Sequence, residues 1–109
     1  MGRRGEDLAA EYLQSEGYTI IDRNYSCKIG EIDIIASDGE FVAFIEVKSR
    51  ADVSFGLPRE AVDWRKQRTI VKVAQYWLYK NKRTGIPVRF DVVEILAGSV
   101  NHIKDAFRP

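Results

Sequence analysis

Asp33, at the end of Gly30-Glu31-Ile32-Asp33, is followed by Glu46 and Lys48 within Phe44-Ile45-Glu46-Val47-Lys48. Carboxylate oxygens suit hard divalent cations such as Mg²⁺ or Mn²⁺, whereas zinc favours nitrogen and sulfur. Such a cation beside a lysine can hydrolyse a phosphodiester: the metal acidifies water and withdraws charge from phosphate, and the ammonium stabilises the transition state. The chemistry requires all three side chains to meet in one place.

A β-hairpin can bring them there. Residues 29–36 and 41–49 read as strands, joined by Ser37-Asp38-Gly39-Glu40 with an Asp-Gly turn signal. If Asp38-Gly39 is a two-residue turn, Ser37 faces Glu40, Asp33 faces Phe44 and Glu31 faces Glu46. Side chains alternate along a strand, so Glu31, Asp33, Glu46 and Lys48 are expected on one side. Asp33 and Glu46 become diagonal neighbours, with β-carbons about 7 Å apart. The competing explanation is an ion pair, Lys48 lying between Glu46 and Glu31 with no catalytic duty. Against it stand Asp33 on the diagonal and the mutual repulsion of three acids on a covered face.

The flanking elements follow from periodicity. Residues 3–16 read as a helix closed by Gly17, and Glu6 falls within its Ala9, Ala10 and Leu13 stripe. It is either an exposed first-turn acid or a carboxylate aimed at a site. Strands are expected at 18–25 and 88–96, a loop at 50–57, a helix from Pro58 to about Asn81, and a short final segment at 100–107. Ile32, Ile34 and Ala36 share one sheet face with Ala43, Ile45 and Val47; Ile35, Val42 and Phe44 occupy the other. Two apolar faces need two covers, and the helices can supply them. The 109 residues therefore read as one α/β domain.

On the long helix, Val62, Ile70, Val71, Val73, Ala74, Trp77 and Leu78 form an apolar arc. Arg65, Arg68, Lys72, Tyr76 and Tyr79 lie opposite. Lys66 and Gln67 intrude at the arc's edge, where they reach either the mouth of the carboxylate site or, respectively, solvent and a backbone group. Net charge is only +1, so bulk charge is no argument for a polyanion. Its distribution is more informative, because residues 59–83 hold eight basic and two acidic side chains. Arg65, Lys66, Arg68 and Lys72 are expected to meet nucleic acid there, with Arg3, Arg4 and Arg50 as further contacts.

Several classes are excluded or disfavoured. The longest apolar run, Phe41 to Ile45, is far short of a membrane span, and no signal peptide is visible. A single Cys27 allows no internal disulfide and fits a reducing, cytoplasmic setting. His102 is the only histidine and stands in the tail, where a structural or solvated role is expected. An ordinary ion pair accounts for Arg89 and Asp91.

The ordered set Glu6, Gly30-Glu31-Ile32-Asp33 and Phe44-Ile45-Glu46-Val47-Lys48 resembles the PD-(D/E)xK nuclease superfamily. Lys66-Gln67, Arg89-Phe90-Asp91-Val92-Val93 and His102-Ile103-Lys104-Asp105-Ala106-Phe107 extend the resemblance to the YraN family, which is related in fold to Holliday-junction resolvases. The resemblance implies a restriction-endonuclease-like fold, a central mixed sheet flanked by helices in the order α-β-β-β-α-β with a short C-terminal strand or turn. It further implies a Mg²⁺- or Mn²⁺-dependent endonuclease acting on branched DNA. Asp33 and Glu46 would be ligands, Glu6 an additional one and Lys48 the catalytic lysine. The residue reading itself adds Glu31, from the shared strand face, as a further candidate ligand and Gln67, from the edge of the apolar arc, as a further catalytic candidate. The superfamily's proline is replaced by Ile32. Symmetric cutting by so small a protein would need a homodimer. The alternatives are a non-catalytic nucleic-acid-binding module, or an interaction domain whose basic helix meets an acidic partner.

Overall fold

Five strands form a single sheet in chain order, β1 (Thr19–Ser26), β2 (Glu31–Ser37), β3 (Val42–Arg50), β4 (Val88–Leu96) and β5 (Ser99–Phe107). Helix α1 (Gly2–Ser15) precedes it, and α2 (Trp64–Lys80) links β3 to β4. The computed structural model describes residues 2–50 and 62–109, without the side chains of Arg3 and Arg50. β3 and β4 run parallel while every other pair is antiparallel, so the sheet is mixed. A parallel pair needs a long crossover, and the segment containing α2 supplies it.

The two covers are as expected. Ala9, Ala10 and Leu13 of α1 pack with Ile34, Ala36, Ala43, Ile45, Val93 and Ile95 on one face. Ile70, Val73, Ala74 and Trp77 of α2 pack with Ile35, Val42, Phe44, Phe90 and Val92 on the other. Phe44 meets Trp77 edge-on at 5.7 Å between centroids, and Phe90 stacks between Phe44 and Phe107 at 5.7 and 5.4 Å. That burial, worth about 25 cal/mol per Å² of apolar surface, clamps α2 to the sheet. Close approach by α2 also explains Gly30, where a β-carbon would lie 2.6 Å from Thr69 Cγ2. No helix among the described residues is long and apolar enough to cross a membrane.

Several local expectations need correction. The β2–β3 turn is a four-residue loop, with Ser37 opposite Val42 and Ile34 opposite Ile45. Asp38 holds it from both sides: its Oδ1 accepts from the amides of Glu40 (2.9 Å) and Phe41 (2.8 Å), and its own amide donates to the Phe41 carbonyl at 3.3 Å. The register is displaced by two residues, an even number, so side-chain parity survives. Ile32 packs on the α2 side although Ile34 packs on the α1 side, which breaks the alternation across Asp33.

α2 starts at Trp64 because Asp63, in an extended conformation, accepts from the Lys66 amide as N-cap. The expected start at Pro58 lies outside the described residues, as do residues 51–57 of the expected loop. Arg50 is the last residue of β3. The final segment is a full strand of nine residues, as long as β4. Ala97 and Gly98, both at positive φ, turn the chain back into it.

Candidate functional site

The register pairs β2 with β3 only as far as Ile34 opposite Ile45. Immediately beyond it stand Asp33 and Glu46, opposite one another if the pairing is continued. Instead of a ladder bond, Asp33 Oδ2 accepts from the Val47 amide at 2.8 Å. The carboxylate is therefore built into the gap between the strands, which fixes its orientation. Glu46 is only 5% exposed. Strand β3 turns it and Lys48 toward the α2 side, following Val42 and Phe44.

Two amines surround Glu46. Lys48 Nζ lies 3.9 Å from Glu46 Oε2, and Lys66 Nζ lies 3.2 Å from the same oxygen. Lys66 reaches across because Asp63 starts α2 one turn before the sheet's acidic point. Gln67 does not join it: its Nε2 donates to the Val62 carbonyl at 2.8 Å and straps the entry to the helix. Of the two intruding residues, Lys66 reaches the carboxylates and Gln67 holds backbone.

Electrostatics mark the pair as unsettled. Burial pushes the Asp33 carboxyl above its ordinary range, more than the Val47 amide and Lys66 draw it down. Burial and then the negative charge of Asp33 push Glu46 up, against Lys66 and Lys48. For Lys66, burial favours the neutral amine, but Glu46 and Asp33 outweigh it and hold the ammonium above its usual range. The site thus holds a buried acid, Glu46, and a half-buried one, Asp33, and both would gain from more positive charge.

The remaining acids lie elsewhere. Glu6 is buried at 6% exposure, so it is no ordinary exposed first-turn acid, yet its Oε1 pairs with Arg23 Nη2 at 3.4 Å. The same nitrogen lies 2.5 Å from Asp7. Gly5 brings the start of α1 hard against Ser49, because a β-carbon there would collide with the serine oxygen. Glu31 is exposed at the start of β2, near enough for its charge to raise Asp33. Among the described residues no group of three or more His, Cys, Asp and Glu side chains could hold a metal ion. The expected extension of the ligand set to Glu6 and Glu31 is therefore not formed. Arg23, which claims Glu6, carries no signal in the sequence, because the β1–α1 approach is non-local.

The donor set still fits one kind of cation. Mg²⁺ and Mn²⁺ accept one or two carboxylates and complete their shell with water and substrate phosphate. Asp33 and Glu46 match that partial set of oxygens, and their repulsion favours such an ion. They do not make an all-protein cage. Of the residues expected to meet nucleic acid, Arg4, Arg65, Lys66, Arg68 and Lys72 are exposed, Lys66 while paired with Glu46. The side chains of Arg3 and Arg50 lie outside the described structure.

The sheet also carries a second buried polar cluster. Asp91 is fully buried; its carboxylate binds Arg89 Nη2 at 2.9 Å, His102 Nε2 at 2.8 Å and the Asp105 amide at 2.9 Å. Arg89 goes on to the Tyr18 hydroxyl at 2.6 Å and to Asp38 at 3.4 Å. Burial alone would raise the Asp91 carboxyl, but His102, Arg89 and the Asp105 amide outweigh it and leave it below its ordinary range. His102 is thus a structural partner in a strand. Asp91 holds more than the single ion pair expected from sequence.

A family model described as "Uncharacterised protein family UPF0102" matches residues 5–95. A UPF0102 protein of Persephonella marina is 44% identical over 106 residues, covering 97% of this chain and 91% of that protein. One from Clostridioides difficile is 46% identical over 108 residues, covering 97% and 95%. Among solved structures, Hjc of Archaeoglobus fulgidus, a Holliday junction resolvase, superposes with a TM-score of 0.63 at 19% identity. The match covers 94% of this chain and 75% of that one, and it shows a shared fold.

Proposed function

This chain belongs to the uncharacterised protein family UPF0102, and from that premise we propose that it is a Mg²⁺- or Mn²⁺-dependent endonuclease hydrolysing phosphodiester bonds in structured or branched DNA. The observation that carries the reading is the pair of half-buried Asp33 and buried Glu46, at the point where β2 and β3 part, with two lysines on Glu46. The fold shared with a Holliday junction resolvase supports DNA as the substrate class.

In this reading Asp33 and Glu46 hold the cation. A bound Mg²⁺ or Mn²⁺ supplies Lewis acidity at the phosphate and makes water a better nucleophile. Water adds to phosphorus, the bond to one ester oxygen breaks, and a phosphate monoester and a hydroxyl result. The Val47 amide fixes Asp33 before substrate arrives, which saves reorganisation at the moment of reaction. Lys66 anchors Glu46 through the shorter contact. Lys48, at 3.9 Å and a third exposed, is the looser amine and serves to orient the water or to stabilise charge on the phosphate. Exposed Arg65, Arg68 and Lys72 of α2 attract the backbone, with Arg4 a further contact. Two copies acting on a two-fold symmetric junction would make paired cuts.

The test is incubation of purified protein with branched, flapped and linear DNA, with and without each metal. Cleavage is expected only with metal, and to fall at least about 100-fold in Glu46→Gln and in Lys48→Ala. Cleavage indifferent to Glu46→Gln would sink the site. Salt-sensitive DNA binding with no cleavage under either metal would favour the non-catalytic binding module instead.

A further inference from the structure

Trp64 is the anomaly of α2. Tryptophan is usually well buried, yet this ring is 62% exposed at the first position of a helix whose other tryptophan, Trp77, is 2% exposed. Two guanidinium groups attend it, Arg65 at 5.6 Å and Arg68 at 5.9 Å from the ring centroid. The ring forms one end of a cleft of about 430 Å³, continued along the helix by Arg68, Val71 and Lys72 and bounded by Arg108 and Pro109 after β5. Among the described residues no Asp or Glu side chain lines that cleft, although Arg108 is engaged by Asp105 at 2.6 Å.

A flat π surface, an apolar floor and fixed cations together match an unstacked nucleobase with its phosphate. A base offers a π face to the indole or to a guanidinium plane, and the phosphate is drawn to arginine and lysine. A duplex keeps its base faces stacked inside and offers only backbone and groove edges. Trp64 and Lys66 stand two residues apart, about 3 Å of axial rise, with Lys66 turned to Glu46 and Trp64 roughly 200° round the helix. A strand crossing the first turn of α2 can therefore set a phosphate at the carboxylates and a nearby base on the ring. We propose that Trp64, with Arg68 and Lys72, is a stacking site for an unpaired nucleotide, so that the protein selects DNA with a single-stranded segment beside the scissile bond. The selection rests on the nuclease reading above; the binding site itself does not.

Binding in EDTA separates the two. Fluorescence anisotropy would compare a labelled single strand, a flapped duplex and a fully paired duplex of the same sequence. Trp64→Ala is expected to weaken binding of the single strand and the flap by about 5- to 100-fold, and of the paired duplex by less than about twofold. Trp64→Phe should restore most of the loss, and circular dichroism should show both variants folded. If cleavage never occurs but the Trp64-dependent preference is found, the stacking site stands without the nuclease. Equal loss on all three DNAs, or no loss on any, overturns it. So does a sedimentation shift from dimer to monomer in Trp64→Ala, which would show that a second copy covers the ring.

Discussion

Glu46 makes the sharpest residue-scale prediction, because burial and Asp33 oppose its charge while two lysines support it. A carboxyl raised in the folded state binds its proton more tightly there than in the unfolded chain. Its stabilising contribution is complete at acid pH and is lost as pH rises from about 4 through the raised folded values. Glu46→Gln should therefore flatten the decline of metal-free stability with rising pH, measured by urea denaturation at several pH values. Saturating Mg²⁺ should raise the melting temperature of the natural protein and not that of the variant, since binding to the folded state alone stabilises by mass action. A variant whose pH slope matches the natural protein's would show that burial and Asp33 do not raise the Glu46 carboxyl.

At this scale much was legible. The facing of Glu46 and Lys48 depends on parity, which the even displacement of the turn preserved, whereas Asp33 stands where the alternation of β2 breaks and is held by the Val47 amide. The displacement itself was hidden, because an Asp-Gly dipeptide does not disclose that the Asp38 carboxylate will bind the two amides after the glycine.

The elements show how backbone events aim side chains. Asp63 starts α2, and the Lys66 amide it caps belongs to the residue whose amine reaches Glu46. Asp63→Ala should cost about 1 kcal/mol and increase hydrogen exchange in the first turn of α2, with a larger loss of cleavage than of stability. Gly30→Ala tests the packing beneath. A methyl group would press on Thr69 and move α2 off β2, with an expected cost of about 1–3 kcal/mol in urea denaturation. Apolar periodicity located both helices and their buried faces. It could not mark the change at Asp33, where Ile32 turns to the opposite face from Ile34, since a break in alternation arises from strands diverging in space. The cap was readable in principle: an aspartate stands three residues before Lys66, ahead of the apolar arc.

At the scale of the molecule, the Asp91 cluster ties distant parts together. Arg89 and Asp91 sit on β4, His102 and Asp105 on β5, Tyr18 just before β1, and Asp38 in the β2–β3 loop. Asp91→Asn leaves the Arg89 guanidinium without its buried counter-charge and should cost about 3–5 kcal/mol in urea denaturation. For a domain whose whole stability is about 5–15 kcal/mol, that is a large part. The Asp91 carboxyl lies below its ordinary range, so its contribution is present above about pH 4 and is lost as pH falls through the folded value. The cluster was half visible from sequence. Arg89 and Asp91 share a strand face, but His102 gave no sign of its partner while its segment was expected to be a short tail.

Strand β5 is an edge, joined to the sheet only through β4, yet it supplies His102, the Asp105 amide and the Phe107 ring that covers Phe90. Trimming the gene so that translation stops after Leu96 would keep every proposed catalytic side chain. It would also uncover an aromatic surface and an unpaired strand margin on β4. Such a shortened protein should accumulate in inclusion bodies, and adding back the missing peptide, residues 97–109, which holds one strand and its turn, should rescue its solubility.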